Sequence, residues 1–318
     1  MLAYIARRLA FAVLLVFAVS SASLLLARLA PGDYVTESLG LGVSREMAEQ
    51  ARQRYGLDKS IGAQYAGWIA NATRLDFGRS FLYDRPVVDL IPERAANTAL
   101  LAAAALVAAT CLGLPLGVVT GSRRGGVVPN AIRATSLVLL SMPPLLTSLL
   151  LVFIAARTGW VPMAGMRSAG APSSGLTLDL LRHLVVPALA LALPLAAMFE
   201  RLQAQAMSEV VGEPFVLATR ARGVPYARVI WRDALKAALR PIAAVYGLVI
   251  GTLLSGSFAV EVITAWPGLG RLMLDALRAR DVYLVAACAG AGSIFLALGT
   301  LVSDAALALV DPRAAGQE

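Results

Sequence analysis

Residues 208–241 read SEVVGEPFVLATRARGVPYARVIWRDALKAALRP and are rich in charge, whereas long apolar runs lie on both sides of them. Proline fits the first turn of a helix, so Pro214 is typical of a helix start. We therefore predict a short helix over residues 213–222. Gly223 interrupts that helix, and Pro225 can open a second one. The pattern predicts two helices joined at a glycine.

The second predicted helix is amphipathic. Four basic residues fall at successive i+4 positions and predict one cationic stripe: Arg228, Arg232, Lys236 and Arg240. Another side of the same helix is predicted to carry Tyr226, Val229, Ile230 and Ala237. A short helix, a glycine break and a longer helix indicate a docking device beside a membrane. The alternative is a basic amphipathic hairpin on the membrane face.

The composition of the whole chain indicates a membrane protein. The 318 residues are 58% hydrophobic and 15% charged, with a mean hydropathy of +0.72. A soluble domain of this size could not bury so much apolar surface. The formal net charge is +8, but the basic residues lie between apolar runs. They are better suited to fixing topology and meeting anionic headgroups than to binding nucleic acid.

The apolar runs predict an all-α fold with six transmembrane helices and both termini in the cytoplasm. The predicted spans are residues 9–30, 95–120, 134–156, 184–206, 242–263 and 282–309. The first run is longer than a signal-peptide core, so we expect it to be retained. Arginine and lysine are commoner in the proposed cytoplasmic segments than in the short outer loops, which supports this orientation.

The spans divide the chain into regions. We predict residues 1–30 as the N-terminus with the first span, and 31–94 as a small extracytoplasmic region with helices near 44–56 and 61–73. Residues 95–310 are predicted to form a five-helix core that includes the loop 208–241, and residues 311–318 a short cytoplasmic tail. Gly247 and Gly251 have a spacing that lets helix backbones approach closely.

The predicted loop has a family resemblance. Gly223, followed eighteen positions later by Pro241, resembles the cytoplasmic EAA loop of ABC-transporter permeases. Residues 218–241 are similar to the subfamily that imports dipeptides, oligopeptides and nickel. Other segments similar to this subfamily lie in order along the chain: ARLAPGD (27–33), YGLDKS (55–60), QYAGW (64–68), LDFGRS (75–80), the run 86–98 and WPGLGRL (266–272).

The loop also departs from the family pattern. Leu217, Ala218 and Thr219 occupy the positions of Glu-Ala-Ala, so the acidic residue is missing, and Arg240 stands where an apolar residue usually precedes the proline. The resemblance implies that this loop seats a short helix in a cleft of a separate ATPase. The residues carried over to that role are Glu213, Phe215, Leu217, Ala218, Thr219, Arg222, Gly223 and Pro241.

The resemblance further implies a function and partners. The chain is expected to be a permease subunit of an ATP-driven importer in the bacterial plasma (inner) membrane, most readily for di- or oligopeptides, with nickel or glutathione as alternatives. The expected partners are a second homologous permease, two ABC ATPase subunits or domains, an extracytoplasmic solute-binding protein and the lipid bilayer, with no nucleic acid.

The residues themselves carry no sign of catalysis. The sequence lacks GxxxxGK[ST], so we expect no ATP binding and no cofactor in this chain. No HExxH, CxxC or nucleophile-elbow motif indicates an enzyme, and a membrane lipid enzyme would need convergent polar groups that are not evident. Scarce mid-membrane charge argues against a secondary transporter.

The isolated polar residues of the apolar runs receive ordinary interpretations. Glu200 and Glu261 are interpreted as interfacial, with a buried functional role as the alternative, and His183 as a histidine at the headgroup level rather than a nickel ligand. Cys111 and Cys288 have no neighbouring Cys or His, so we predict small buried apolar residues rather than a disulfide or a metal site.

Overall fold

The computed structural model describes residues 2–39, 45–123, 125–170, 175 and 177–310. The described backbone is helical, apart from turns and an isolated bridge between Arg79 and Pro86. The helix Tyr226–Ala238, labelled α10, contains a π-helical turn over Val229–Ala234. The helices are α1 (Leu2–Leu29), α2 (Tyr34–Leu39), α3 (Arg45–Arg54), α4 (Ile61–Ala72), α5 (Val87–Ser122), α6 (Val127–Ser141), α7 (Pro144–Thr158), α8 (Leu178–Val210), α9 (Pro214–Ala221), α10 (Tyr226–Ala238), α11 (Arg240–Ile263), α12 (Leu269–Arg278) and α13 (Val282–Val310).

The spans confirm an all-α membrane protein. Four described helices are long and apolar enough to cross a bilayer: Ala6–Leu29, Val87–Ser122, Leu178–Val210 and Val282–Leu301. Two bent pairs pass the same test when each is counted together: α6 with α7, bent by 108°, and α10 with the Arg240–Leu253 part of α11, bent by 55°. The described residues therefore hold four spans, or six if each bent pair is one span.

The predicted third span, residues 134–156, is wrong as a continuous helix. Helix α6 ends at Ser141, and α7 begins at Pro144. Met142 between them is extended, with ψ of 117°, and Pro143 also has an extended ψ of 148°. A residue that precedes proline is pushed out of the helical region by the proline ring. The pair Pro143-Pro144 therefore bends the chain sharply instead of only kinking it.

The other helices agree with the predicted runs but extend further. Helix α5 begins at Val87 rather than 95, and α8 covers Leu178–Val210 rather than 184–206. The hydropathy pattern marks only the apolar part of each helix, and polar turns continue it. The predicted helices near 44–56 and 61–73 are confirmed as α3 and α4. The sequence interpretation missed α2 and α12, and the tail 311–318 lies outside the described residues.

The chain divides into two compact units. Unit 1 comprises Met1–Thr98 with Pro267–Ala297, and unit 2 comprises Ala99–Trp266 with Leu298–Glu318. In unit 1 a core forms around Val87, Leu272 and Leu284, and a second cluster joins Leu24 and Trp68 to Ala286. Four aromatic rings meet edge to face or tilted in the same unit: Tyr34, Tyr55, Phe81 and Tyr283.

A buried carboxylate fixes the start of α13 in unit 1. The Asp281 side chain accepts hydrogen bonds from Ser80 Oγ at 2.6 Å, from Leu82 N at 3.1 Å and from Leu284 N at 3.2 Å. Burial raises the pKa of Asp281, while these hydrogen bonds act to lower it. The bonds tie the loop after LDFGRS to the first turn of α13.

Unit 2 is built on close contact between α5 and α8. A Cβ placed on Gly113 would lie 2.6 Å from Ala196 O, and one on Gly117 would lie 2.6 Å from Glu200 O. Larger residues cannot occupy these positions unless the helices separate. The predicted close approach at Gly247 and Gly251 is also confirmed, because a Cβ on Gly299 of α13 would lie 3.2 Å from Gly251 N.

Candidate functional site: the loop between α8 and α11

The predicted short helix in the loop is confirmed as α9. It begins at Pro214, where the missing N–H of proline costs nothing because the first turn has no internal acceptor. Glu213 precedes it as the N-cap. Its side chain makes no capping bond, but its carbonyl accepts hydrogen bonds from Val216 N at 3.0 Å and Leu217 N at 3.2 Å. Glu213 therefore starts the helix through its backbone.

Helix α9 lies on the surface of unit 2. Val216 is fully buried, and it packs in a cluster that also contains Met207 of α8 and Val229 of α10. Phe215 is 45% exposed and Leu217 is 51% exposed. Ala218 is also exposed, and Thr219 is half-buried. One apolar residue anchors the helix to the protein, and its remaining apolar side chains face outward.

The C-terminal end of α9 is fixed by side chains and by glycine. Thr219 Oγ1 donates to Phe215 O at 2.8 Å, and Arg222 Nη2 donates to Thr219 Oγ1 at 3.1 Å. Gly223 has a φ of +85°, and no heavy atom lies within 4 Å of a Cβ built on it. The predicted glycine break is confirmed: the turn needs a left-handed residue, and the surface around it is open.

The predicted faces of α10 need correction. Its buried residues are Val229, Ile230, Ala234 and Ala238, whereas Tyr226 is exposed and Ala237 is only half-buried. The backbone N–H of Leu235 bonds to Ile230 O, five residues earlier, which is a π-helical bond. The basic residues of the predicted cationic stripe are all exposed, and Arg228, Arg232 and Lys236 share α10, whereas Arg240 begins α11 beyond a 55° bend.

Tyr226 has a role that sequence reasoning missed. Its hydroxyl donates to Ser122 O at the end of α5, at 2.8 Å, and the Arg220 guanidinium lies over its ring, 5.2 Å from the centroid. These contacts join α9 and α10 to α5. An aromatic residue after Pro225 was a possible signal, but its partner is distant in sequence. Pro241 occupies the first turn of α11 and is exposed.

A buried polar chain lies next to this loop, and it favours the buried alternative for Glu200. Glu200 is 1% exposed, and its Oε1 accepts a hydrogen bond from Thr120 Oγ1 at 2.5 Å. The Thr120 carbonyl accepts from Arg133 Nη2 at 2.7 Å. Among the described residues, Glu200 Oε2 has no hydrogen-bond partner. Glu200 and Arg133 line a cavity of about 470 Å³ between α6 and α8.

The structure also places three other polar residues. Glu261 is fully buried and accepts a hydrogen bond from Ser257 Oγ at 3.1 Å, which favours the buried alternative for it. His183 is buried within the protein, with Nδ1 2.9 Å from Asp179 O. Cys288 is buried as predicted, but Cys111 is exposed. Hydropathy places these residues along the chain but does not show which face of a helix they occupy.

The described residues hold no cluster of His, Cys, Asp and Glu that could bind a metal ion. The described residues thus form a multi-pass helical fold with an exposed short helix, α9, in the charged loop between α8 and α11. The chain belongs to the family described as binding-protein-dependent transport system inner membrane component, whose model matches residues 113–316. The N-terminal model of the same kind of component matches residues 1–102.

The curated relatives are matched over nearly their whole length. It is 31% identical to the oligopeptide transport system permease protein AppB of Bacillus subtilis over 98% of this chain and 99% of that protein. It is 32% identical to the di/tripeptide transport system permease protein DppB of Pseudomonas aeruginosa over 98% of each chain. A putative peptide transport system permease protein of Brucella abortus is 33% identical over 98% of this chain and 99% of its own length.

Membership of this family determines the general role of the chain. It is a multi-pass membrane permease of the ABC importer type, and it is a transport subunit rather than an enzyme. Such permeases act together with ATPase and binding-protein partners. The resemblance stated from residues 218–241 is therefore confirmed at the level of the family.

Proposed function

We propose that the chain forms half of the transmembrane pathway of a bacterial peptide importer in the plasma membrane. The relatives whose names state a substrate are oligopeptide, di/tripeptide or peptide permeases, and each matches nearly the whole chain. Two ATPase subunits or domains, a second homologous permease and an external binding protein complete the proposed transporter. Both termini of the chain lie in the cytoplasm in this proposal.

The surface position of α9 carries the proposal for coupling. A helix that buries only Val216 and exposes Phe215 and Leu217 is suited to enter a groove on a partner through its apolar side. Phe215 and Leu217 supply the apolar contacts with the ATPase in our proposal. Ala218 has a small side chain and Gly223 has none, so the partner can approach the helix closely.

The polar residues of the loop have supporting roles in this proposal. The bonds of Arg222 to Thr219 and of Thr219 to Phe215 stabilise the last turn of α9. Glu213 begins the helix, and Pro241 begins α11 where the chain leaves the loop. The acidic residue usual in the family is replaced by Leu217, so attachment depends more on apolar contact and on Arg222.

ATP is bound and hydrolysed by the partner subunits in this proposal, since the sequence has no phosphate-binding loop. The chain itself needs no cofactor. Purified alone, it should show no stoichiometric binding of ATP. Such binding would contradict the proposed division of labour.

Uptake by the reconstituted transporter tests the function. The permease, its homologous partner, the ATPases and the binding protein are placed in liposomes, and ATP-dependent uptake is measured for a panel of peptides, nickel and glutathione. We expect uptake of di- or oligopeptides that stops without ATP or without the binding protein. Uptake of nickel or glutathione alone would support the proposed architecture but contradict the proposed peptide substrate.

A further inference from the structure

Two adjoining cavities lie in unit 1 at the C-terminal end of α1. One is polar, has a volume of about 180 Å³, and is lined by Arg28, Asp33, Lys59, Gln64 and Arg280 among others. The other is apolar, has a volume of about 290 Å³, and is lined mainly by Leu26, Ala30, Met273 and Leu277. Ala27 and Arg280 line both cavities. A cationic space and an apolar space therefore meet at Arg280.

The polar cavity contains buried donors, and one buried acceptor, that the described residues do not satisfy. Nε and Nη2 of Arg28 are buried without a hydrogen-bond partner, although its guanidinium interacts with the Tyr283 hydroxyl. Gln64 is 9% exposed, and its Oε1 also lacks a partner, while its Nε2 donates to Lys59 O at 2.6 Å. Buried donors of a charged group are costly when left unpaired, so an acceptor is expected in this space.

The carboxylate of the polar cavity compensates its cations only in part: Asp33 attracts the Arg28 guanidinium, but it is hydrogen-bonded to other residues. Asp33 accepts hydrogen bonds from Arg52 Nε at 2.7 Å and from Thr36 Oγ1 at 2.5 Å. Burial acts to raise the pKa of Asp33, but the bonds from Arg52 and Thr36 prevail and lower it. Arg28, Lys59 and Arg280 therefore leave an excess of positive charge in the cavity.

Arg280 adopts a backbone conformation that normally belongs to glycine. Its φ is +58°, its N–H bonds to Leu277 O at 3.2 Å, and the N–H of Asp281 bonds to Ala276 O at 2.8 Å. These are the two bonds of a Schellman motif, in which glycine is usual at the left-handed position. An arginine there is strained, and strain of this kind is retained where a side chain is used. The Arg280 side chain lines both cavities.

The order of the cavities along α1 matches a bilayer. The apolar cavity includes Leu26 and Ala27 within the membrane-spanning segment Ala6–Leu29, and the polar cavity runs from Arg28, in the last turn of this segment, to Asp33 beyond it. We propose that the two cavities bind one membrane phospholipid, with the phosphate held by Arg28, Lys59 and Arg280 and part of an acyl chain in the apolar cavity. The ligand is amphipathic, with its anionic oxygens at the end of the span.

Lipid binding by the purified full-length chain tests this inference. The protein is delipidated in detergent, and binding of phosphatidylglycerol is measured by native mass spectrometry and by the shift in thermal unfolding. Diacylglycerol with the same acyl chains, inorganic phosphate and a free dipeptide are the comparison ligands. We expect tight binding of phosphatidylglycerol, weak binding of diacylglycerol and inorganic phosphate, and no competition by the dipeptide.

Three variants locate the site. Arg28→Gln and Arg280→Gly should each weaken phosphatidylglycerol binding about tenfold or more, because each removes charged donors to the phosphate. Arg278→Gln is the matched control, since Arg278 is exposed at the end of α12 and lines neither cavity. It should bind lipid like the wild type. Arg280→Gly also removes backbone strain, so lost binding there cannot be attributed to a weakened fold.

Several results would overturn the proposal. Equal binding of phosphatidylglycerol and diacylglycerol would show that the phosphate is not recognised. Unchanged affinity in both Arg28→Gln and Arg280→Gly would place the lipid elsewhere. Displacement of lipid by the dipeptide, or equal binding of inorganic phosphate, would assign the cationic cavity to a soluble carboxylate or phosphate. None of these measurements depends on transport, so the proposed peptide import is tested separately.

Discussion

Two helix ends in this protein use the same left-handed turn with different residues. The turn after α9 contains Gly223, with φ of +85°, and the turn after α12 contains Arg280, with φ of +58°. In each turn the backbone N–H bonds to the carbonyl three residues earlier, Arg220 O at 2.9 Å and Leu277 O at 3.2 Å. Open space surrounds Gly223, whereas Arg280 lines two cavities. In our proposals, Gly223 leaves the surface open to the ATPase, whereas Arg280 adopts a strained backbone that places its side chain at the cavities.

The strongest way to break the comparison is Gly223→Val. A β-branched residue at positive φ costs about 1–3 kcal/mol, and its side chain projects from the surface that we assign to the ATPase. We expect near-normal membrane insertion, release of the ATPase in pull-down, and a fall in uptake of roughly tenfold or more, since about 1.4 kcal/mol corresponds to tenfold.

Gly125→Val is the control for that experiment. Gly125 is exposed, its φ lies outside the left-handed region, and no atom lies within 4 Å of an added Cβ. It should retain the ATPase and transport normally. If Gly223→Val also does so at equal expression, Gly223 is only a turn and the coupling role of α9 is wrong.

The next largest effect is expected at the residue that follows Arg280. Asp281→Ala removes the acceptor for Ser80 Oγ, Leu82 N and Leu284 N, which should destabilise the folded state by about 3 kcal/mol. The thermal unfolding midpoint in detergent measures this loss. Asp58→Ala, at an exposed carboxylate, is the matched control and should leave the midpoint unchanged. Equal midpoints for the two variants would refute the anchoring role of Asp281.

A smaller effect of opposite sign is expected from Arg280→Gly. Glycine adopts positive φ without the Cβ strain of an L-residue, so the free energy of unfolding should increase by about 1 kcal/mol. The unfolding midpoint of the delipidated protein should therefore rise. The comparison of the two turns would fail if the midpoint fell, because the arginine side chain would then stabilise the fold on its own.

The smallest expected effect is a pH dependence due to Asp281. Its pKa in the folded protein lies above the ordinary value of 3.8, so the folded state binds the proton more tightly than the unfolded state. The stabilisation is fully present below about pH 3.8 and is lost as the pH rises through the raised pKa. Relative to Asp281→Asn, the wild-type midpoint should fall by about 2 °C across that range. Parallel profiles of the two proteins would disprove this.

Much of the fold could be predicted because it follows from local signals. Apolar length identified the spans, and Pro214 with Gly223 marked the ends of α9. The sharp bend at Pro143 could not be predicted, because prolines also permit a mild kink. Hydropathy alone marks apolar length, and a helix can continue through polar turns beyond it, as α5 and α8 do.

The features of the candidate site that were not predicted depend on contacts between residues that are far apart in sequence. Glu200 was interpreted as interfacial because its acceptor role depends on Thr120, eighty residues earlier in the chain. Tyr226 binds Ser122, which also lies far away in sequence. The left-handed conformation of Arg280 was not predicted, because no local sequence pattern marks an arginine in that conformation. Such contacts arise only when helices pack together.

Removal of one residue would convert the π-helical turn Val229–Ala234 into an ordinary α-helical turn. A π turn is an α-helix that carries one inserted residue. Trp231 lies on its exposed side, while Val229, Ile230 and Ala234 lie in the core. Deletion of Trp231 would place Ala234 three positions after Ile230 and four positions after Val229. These are the spacings of neighbouring residues on one face of an ordinary α-helix. The extra residue therefore sets the rotation of Arg228 about the helix axis relative to α11. Its deletion would change that rotation while the buried residues of the turn remain in the core.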